Sequence, residues 1–379
     1  MSGGVDSSVA AALLLEQGYE VVGCFMRLGS PGEELDSLLP GEKACNTRNL
    51  RIGKQGCCSI NDAADARLVA ARLNIPFYVL NFNNDFGRVI DYFVEEYNAG
   101  RTPNPCIRCN DWLKFGKLRD YAHQIGAEHI ASGHYARIKK INGRKMLCRG
   151  KDTDKDQSYV LFGIPHDHLQ EMLLPIGNLK KTQVREKAKK LGLPVSDKPD
   201  SQEICFVPDN DYAALIERTS PEKVSPGSII NLTGDVVGEH PGQQHFTIGQ
   251  RRGVGVAFGY PIYVVDKNAK DNTITIGRRE DLAASGLTAT EANWFIPPPT
   301  DWQPCHVKIR YNAVPVPAVV RSSEDSKMEV RFETPQFAVA PGQAVVCYDR
   351  ESCEVVLAGA WINSAVDSCA ESVNKSTAE

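Results

Sequence analysis

The chain has 379 residues and a formal net charge of −4, with 24% charged and 42% hydrophobic residues, enough for two or three domains with a large buried core. That balance argues against indiscriminate coating of nucleic acid but leaves room for local basic surfaces. No run approaches the ~18 apolar residues of a membrane span and no signal-peptide pattern is present, so the twelve cysteines read as thiols of a cytoplasmic protein, a few with catalytic or metal roles.

The first element is a loop, Met1-Ser2-Gly3-Gly4-Val5-Asp6-Ser7-Ser8, leading into an apolar helix from Val9 to Gln17. Gly3 and Gly4 let successive backbone N–H groups turn inward, Ser2, Ser7 and Ser8 add hydroxyls, and the helix N-terminus adds its dipole. The result is a cradle for phosphate. It lacks the lysine of the G-x-x-x-x-G-K-[ST] loop. Such a loop belongs at the carboxyl end of a buried parallel strand, so a Val/Ile-type strand is expected before Met1, and the first domain as written is expected to lack its first strand.

Strand Glu20–Met26, helix Ala63–Leu73, strand Pro76–Asn81, helices Arg88–Gly100 and Asp111–Ile125, strand His129–Ser132 and helix Thr182–Leu191 then follow. This alternation predicts an α/β domain with a doubly wound parallel sheet over residues 1–207, interrupted by a Gly/Pro/charge-rich surface loop between Leu28 and Gln55. From Pro208 to 271, short strands punctuated by glycines predict a small β-rich linker domain. Alternating segments at Thr273–Ile276, His306–Arg310, Lys327–Phe332, Gln343–Cys347 and Cys353–Leu357 predict a β-barrel over 272–363. Residues 364–379 read as a disordered tail.

Two cysteine segments stand out. Gly100-Arg101-Thr102-Pro103-Asn104-Pro105-Cys106-Ile107-Arg108-Cys109-Asn110 is stiffened by two prolines and places a thiol near a helix N-terminus beside Arg108, conditions that lower a thiol pKa. Asp200-Ser201-Gln202-Glu203-Ile204-Cys205-Phe206 places a second thiol among polar residues. Isolated cysteines are often plain core residues, but the company of these two weakens that reading. Cys45, Cys57 and Cys58 lack the paired C-x-x-C spacing of structural zinc and stay unassigned. The run Lys180, Lys181, Arg185, Lys187, Lys189 and Lys190, and Arg251-Arg252 in a glycine-rich loop, are either solvated faces or RNA-facing surfaces.

The loop resembles the PP-loop of ATP pyrophosphatases. With G-R-T-P-N-P-x-x-x-C-N, A-S-G-H-Y-A, K-D-Q-S-Y and S-Q-E-I-C-F in this order, nearly the whole chain resembles the tRNA-specific 2-thiouridylases. The resemblance implies ATP-dependent adenylation of the O2 carbonyl of the wobble uridine, then displacement of AMP by sulfur from a cysteine persulfide. By position it implies Cys205 as the persulfide cysteine and Cys109 as nucleophile or resolving partner, with a transient Cys109–Cys205 disulfide. It implies ATP contacts at Ser2, Gly3, Gly4, Val5, Asp6, Ser7, Met26 and Gly133, and target-base contacts at Asn104, Pro105 and Cys106. His134, Lys155, Asp156, Gln157, Arg310, Tyr311 and Gln343 take the tRNA-contact positions. ATP and Mg²⁺ are the implied cofactors; the implied partners are the tRNAs for Lys, Glu and Gln and a sulfur donor, either a cysteine desulfurase or a relay protein.

One position departs from the family. Many members carry aspartate where this chain has Cys106, which creates a Cys106-x-x-Cys109 pair. With Cys205 this resembles the three-cysteine set of iron-sulfur-dependent tRNA thiolases, in which a 4Fe-4S cluster binds sulfide; a metal-free redox pair is the other reading. Two rival functions share parts of the pattern. A PP-loop amide-forming ligase shares the phosphate loop but needs no thiol pair, and a silent RNA-binding protein would need no thiols at all.

Overall fold

The computed structural model describes residues 1–29, 60–199, 204–207, 211–323 and 327–367. The expected loop beyond Gly29, with Cys45, Cys57 and Cys58, lies outside them, as do Asp200–Glu203 of the second cysteine segment.

Helix α1 (Val5–Glu16) starts four residues earlier than the apolar pattern suggests: Gly4 takes the extended N-cap conformation, and Asp6 occupies the first turn, where a carboxylate complements the helix dipole. Strand β1 (Gly23–Arg27), helix α2 (Ile60–Arg72) and strand β2 (Phe77–Asn81) form a parallel unit, with Gly23 opposite Phe77 and Arg27 opposite Asn81. Helix α3 (Asn83–Asn98) follows. Helix α4 (Pro105–Arg108), a π-helical stretch (Cys109–Lys117) and helix α5 (Leu118–Gln124) form one continuous helical run. Strand β3 (Ile130–Ala131) precedes an antiparallel hairpin, β4 (Ala136–Ile141) and β5 (Arg144–Arg149), that the sequence pattern did not suggest. Strand β6 (Met172–Leu173) pairs in parallel with β3, and helix α6 (Lys181–Lys190) packs on α1.

The middle unit opens with helix α7 (Tyr212–Thr219) and continues as a sheet of β7 (Gly227–Ile230), β8 (Val236–His240), β9 (Tyr263–Asn268) and β10 (Thr273–Gly277), in the order β8-β7-β10-β9. Thr273–Ile276, expected in the barrel, therefore belongs here: β10 hydrogen-bonds to β7 and β9, which moves the boundary from 271 to beyond Gly277.

Strands β11 (Ala283–Trp294), β12 (Gln303–Lys308), β13 (Val316–Ser323), β14 (Lys327–Phe337), β15 (Ala344–Asp349) and β16 (Val356–Asp367) close a barrel in the order β11-β14-β13-β12-β15-β16. Ser364 to Asp367, expected in the tail, pair with β11 instead.

The barrel presents two buried faces. Along β15, Val345 and Cys347 point into its interior, while Ala344, Val346 and Tyr348 join Ile107, Phe115, Tyr159, Leu161 and Phe162 of the first domain in a shared core. Alternation along a strand makes this possible: one set of side chains fills the barrel and the other cements it to the catalytic domain. Gly359 of β16 lies where a Cβ would collide with the Phe162 ring. Phe162 is 1% exposed and has no room to withdraw. Gly359→Ala should therefore cost about 1–3 kcal/mol through overpacking, read as a lowered midpoint in thermal unfolding; an unchanged midpoint would contradict this packing.

Candidate active site

The cradle forms as its residue types suggest. Gly3 adopts φ +69° with the Asp62 carbonyl against its Cα, leaving no space for a side chain. The Ser7 hydroxyl accepts from the Ser2 amide at 3.1 Å, lies 3.2 Å from the Ser2 hydroxyl and donates to the Gly4 carbonyl at 3.2 Å. Ser8 is not a cradle donor: it is fully buried and its hydroxyl returns to the Gly4 carbonyl at 2.8 Å. Val5 is buried in the core behind the loop.

The fold supplies the cations that the loop sequence lacks. Lys181, first residue of α6, holds both Asp6 carboxylate oxygens at 2.8 Å, and the Tyr135 hydroxyl donates to Asp6 at 2.7 Å. Lys198 donates to the Gly3 carbonyl at 3.0 Å and to Asp62 and Asp65 at 2.6 Å each. The sequence signal for Lys181 is its place in the basic run, which by itself reads as a solvated face or an RNA-facing surface. Gly133 has a different reason for being glycine than nucleotide approach alone: a Cβ there would lie 2.6 Å from the Ser7 nitrogen and 2.7 Å from the Asp6 carbonyl carbon. The loop after β3 is thus pressed against the cradle.

Asn104 caps α4 with Pro105 at its first turn, where a missing N–H costs nothing. Cys106 faces solvent, whereas Cys109, one turn on at the start of the π-helical stretch, is buried. Gly116 fits the π geometry: a Cβ there would sit 2.7 Å from the carbonyl oxygen of Asp111, five residues earlier. Single π turns are frequent at functional sites. Cys109 packs in a core cluster with Phe86, Phe93 and Phe206, against which Cys205 and Met26 also pack. Residues far apart in sequence, the two thiols and the methionine expected beside adenine, thus surround one cluster.

Arg108 does not serve the thiols as expected. Its guanidinium pairs with Glu291 at 2.8 Å and lies over the rings of Trp361 (4.4 Å), Tyr92 (5.1 Å) and Trp112 (5.1 Å). Its charge is shared with a carboxylate of β11, and it ties the cysteine helix to the barrel.

The expected RNA residues divide into two groups. Arg310 and Tyr311 are exposed on the barrel, and Tyr311 lies within electrostatic reach of Cys106; burial, then the charges of Asp156 and Cys106, raise the Tyr311 pKa. Lys155 is half-buried. The others face inward. Asp156 is 4% exposed, with its carboxylate accepting from Arg149 (2.9 Å), the Gly150 amide (3.0 Å) and the Ser158 amide and hydroxyl (3.1 Å each). Gln157 accepts from the Tyr135 amide at 2.9 Å, and Gln343 donates to the Thr102 carbonyl at 3.1 Å. His134 is buried against Phe115, its Nδ1 2.7 Å from the Ser132 hydroxyl; burial and then the Lys114 charge push its pKa well below the usual histidine value, so the ring is neutral. All four side chains have hydrogen-bond partners within the protein. Among the described residues no group of three or more His, Cys, Asp or Glu is arranged to hold a metal ion, so Cys106, Cys109 and Cys205 do not form a preorganised cluster site.

Fold and site together define a PP-loop domain joined to two β modules, with two cysteines brought to one core cluster of that first domain. Family models agree segment by segment: residues 1–209 match a "tRNA methyl transferase HUP domain", 214–278 a "tRNA methyl transferase PRC-barrel domain" and 284–362 an "Aminomethyltransferase beta-barrel domain". Curated relatives named tRNA-specific 2-thiouridylase MnmA are similar over nearly the full length. The protein of Rhodopirellula baltica is 48% identical, covering 98% of this chain and 97% of its own. That of Carboxydothermus hydrogenoformans is 49% identical, covering 92% and 93%, and that of Acetivibrio thermocellus 47% identical, covering 92% and 94%. The chain belongs to the tRNA-specific 2-thiouridylase family.

The contact of Gly133 with the cradle gives a direct test. Gly133→Ala should displace the Asp6–Ser7 backbone; if about 1–3 kcal/mol of overpacking falls on the ATP-bound geometry, KM for ATP rises about 10- to 100-fold, while persulfide loading of Cys205 by a sulfur donor is unaffected. An unchanged KM would separate Gly133 from the nucleotide site.

Proposed function

We propose that this chain thiolates the wobble uridine of tRNA at position 2 in an ATP-dependent reaction. The observation that carries this reading is the joint presence, in one domain, of a lysine-free phosphate cradle and of Cys109 and Cys205 around one cluster. A cradle with two thiols serves activation by ATP followed by sulfur delivery, whereas an amide-forming ligase would leave the thiols without a role and methyl transfer would leave the cradle without one.

In this reading the Ser2–Ser7 loop holds the phosphates of ATP, and the uracil O2 attacks the α-phosphorus, releasing pyrophosphate and converting a poor leaving oxygen into AMP. The terminal sulfur of a Cys205 persulfide attacks C2, and AMP departs. Cys109 thiolate then attacks the inner sulfur of Cys205, leaving 2-thiouridine and a Cys109–Cys205 disulfide that an external thiol reductant reopens. Mg²⁺, when bound, neutralises phosphate charge; Asp6 is the carboxylate that would hold it, and one carboxylate plus phosphate oxygens is an ordinary donor set for this ion. Tyr311 and Arg310 suit an unpaired base and a backbone phosphate. The sulfur donor is a cysteine desulfurase or relay protein, the substrates are the tRNAs for Lys, Glu and Gln, and the setting is cytoplasmic. Among the described residues no helix is long and apolar enough to cross a membrane.

The second reading uses a 4Fe-4S cluster on Cys106, Cys109 and Cys205. The exposed Cys106 and the buried Cys109 favour the metal-free persulfide route. Iron and sulfide measured beside activity decide between them: the metal-free route expects full activity in iron-free enzyme and retained activity in Cys106→Asp, and loss of iron and thiolation together in Cys106→Asp would establish the cluster. Cys205→Ser should abolish 2-thiouridine while tRNA-dependent AMP formation persists, because activation and sulfur delivery use different groups; Asp6→Ala should weaken AMP formation, and 2-thiouridine with it, while Cys205 still loads persulfide from a sulfur donor. A Cys205→Ser enzyme that is folded yet forms no AMP would contradict this division.

A further inference from the structure

Lys308 is the last residue of β12, and the reaction as derived makes no use of it. Its neighbours Val307 and Ile309 point into the barrel, so alternation places Lys308 on the outside. It is nevertheless only 6% exposed, in the region where the first domain covers this face. Its ammonium lies 5.7 Å from the ring centre of Tyr159 and 5.8 Å from that of Tyr311. Among the described residues no carboxylate pairs with it and no carbonyl accepts from it.

A desolvated ammonium without an acceptor is unfavourable, and the surrounding charges deepen the deficit. Asp156 is the one carboxylate acting on Lys308, with a smaller effect of the same sign from the Cys353 thiol, and Arg149 already holds that carboxylate at 2.9 Å. Arg149, Asp156 and Lys308 thus form a cluster of net charge +1, and exposed Arg310 follows two residues later. Burial pulls the Lys308 pKa below the ordinary lysine value, with Asp156 acting against it and Arg149 with it. Uncompensated positive charge bounded by two tyrosine faces calls for an anion. Tyr311 connects the position to the cysteine loop, since Cys106 acts electrostatically on its phenol.

We propose that Lys308 is an RNA-binding residue that receives a phosphodiester oxygen of the strand carrying the target base, with Tyr159 and Tyr311 walling the position. The nucleotide phosphates have their own cradle at Ser2–Ser7, which leaves the RNA backbone as the anion for the barrel side. This inference rests on the tRNA-thiolation reading.

The test is steady-state thiolation by Lys308→Met, which keeps the length and apolar stem of the side chain, and by Lys308→Gln, which stays polar and uncharged, each with thermal unfolding alongside. Loss of one charge-assisted contact should raise KM for tRNA about 10- to 100-fold, leave KM for ATP unchanged, and reduce the slope of log affinity against log salt by about 0.7, one single-strand phosphate. Lys308→Met should be at least as stable as the parent, because it removes an unpaired buried charge. A merely structural lysine would give the opposite pattern, lowered stability with unchanged KM for tRNA, and would overturn the proposal. So would a rise confined to KM for ATP. If the unmodified enzyme itself thiolates no tRNA, the functional reading fails; if it does and both variants match it in KM and salt slope, this inference alone fails.

Discussion

The shared core between the catalytic domain and the barrel is the contact on which the site depends. A strand buried on one face is ordinary; β15 is buried on both, and β16 adds Val356 and Trp361 to the outer side. Each large apolar side chain so buried contributes about 1.5–3 kcal/mol, so the two units behave as one body. That rigidity reaches the chemistry through the cysteine loop. The Thr102 amide donates to the Pro341 carbonyl at 2.8 Å, Gln343 returns to the Thr102 carbonyl at 3.1 Å, and the Tyr159 hydroxyl donates to the Ala344 carbonyl at 2.8 Å. Arg108 fastens the far end of the loop to Trp361 and Glu291. The barrel therefore fixes the cysteine loop at both ends.

Holding the loop at both ends explains how an irregular helix persists between them. The π-helical stretch gives up regular hydrogen bonding, a cost that surrounding contacts must offset. Asn110 contributes by donating from within the protein to the Val160 carbonyl at 2.9 Å, and Leu113 and Phe115 are each 1% exposed. The outcome is a turn that exposes Cys106 and buries Cys109, so the two thiols of a C-x-x-C pair meet different solvents. A thiol shielded from water is protected from adventitious oxidation, and Cys205 packs against the same cluster.

Much of this was legible in the chain. The glycine loop, the helix after it and the parallel β1-α2-β2 unit follow from residue types that permit little else. The elements that escaped have physical reasons. Strand β11 (Ala-Ala-Ser-Gly-Leu-Thr-Ala-Thr-Glu-Ala-Asn-Trp) is built of small residues whose alternation is too weak to read, and it pairs only because β14 and β16 flank it. Thr273–Ile276 alternates like any barrel strand, and only its partners show that it belongs to the middle sheet. Asp156 and Gln157 are polar residues in a motif, which invites a reading as ligand contacts; their hydrogen bonds to Arg149, Gly150, Ser158 and Tyr135 join segments whose proximity the sequence does not show. Lys308 gave no signal, since a lysine in an alternating strand reads as solvated unless another domain covers it.

The cradle itself shows how charge is distributed when a loop has no lysine of its own. Asp6, Asp62 and Asp65 bring three carboxylates close to it, and Lys181 and Lys198 bring two ammonium groups. These five side chains sum to −1, so each ammonium is already neutralised by a carboxylate, and in a partly desolvated cleft such pairs hold one another strongly. In the nucleotide-binding reading Asp6 is the carboxylate that would hold a divalent cation, and Lys181 occupies both of its oxygens. Lys181 is anchored at the start of α6 by its backbone, where its amide donates to Asp152 at 2.8 Å, so its side chain can release Asp6 without moving the helix.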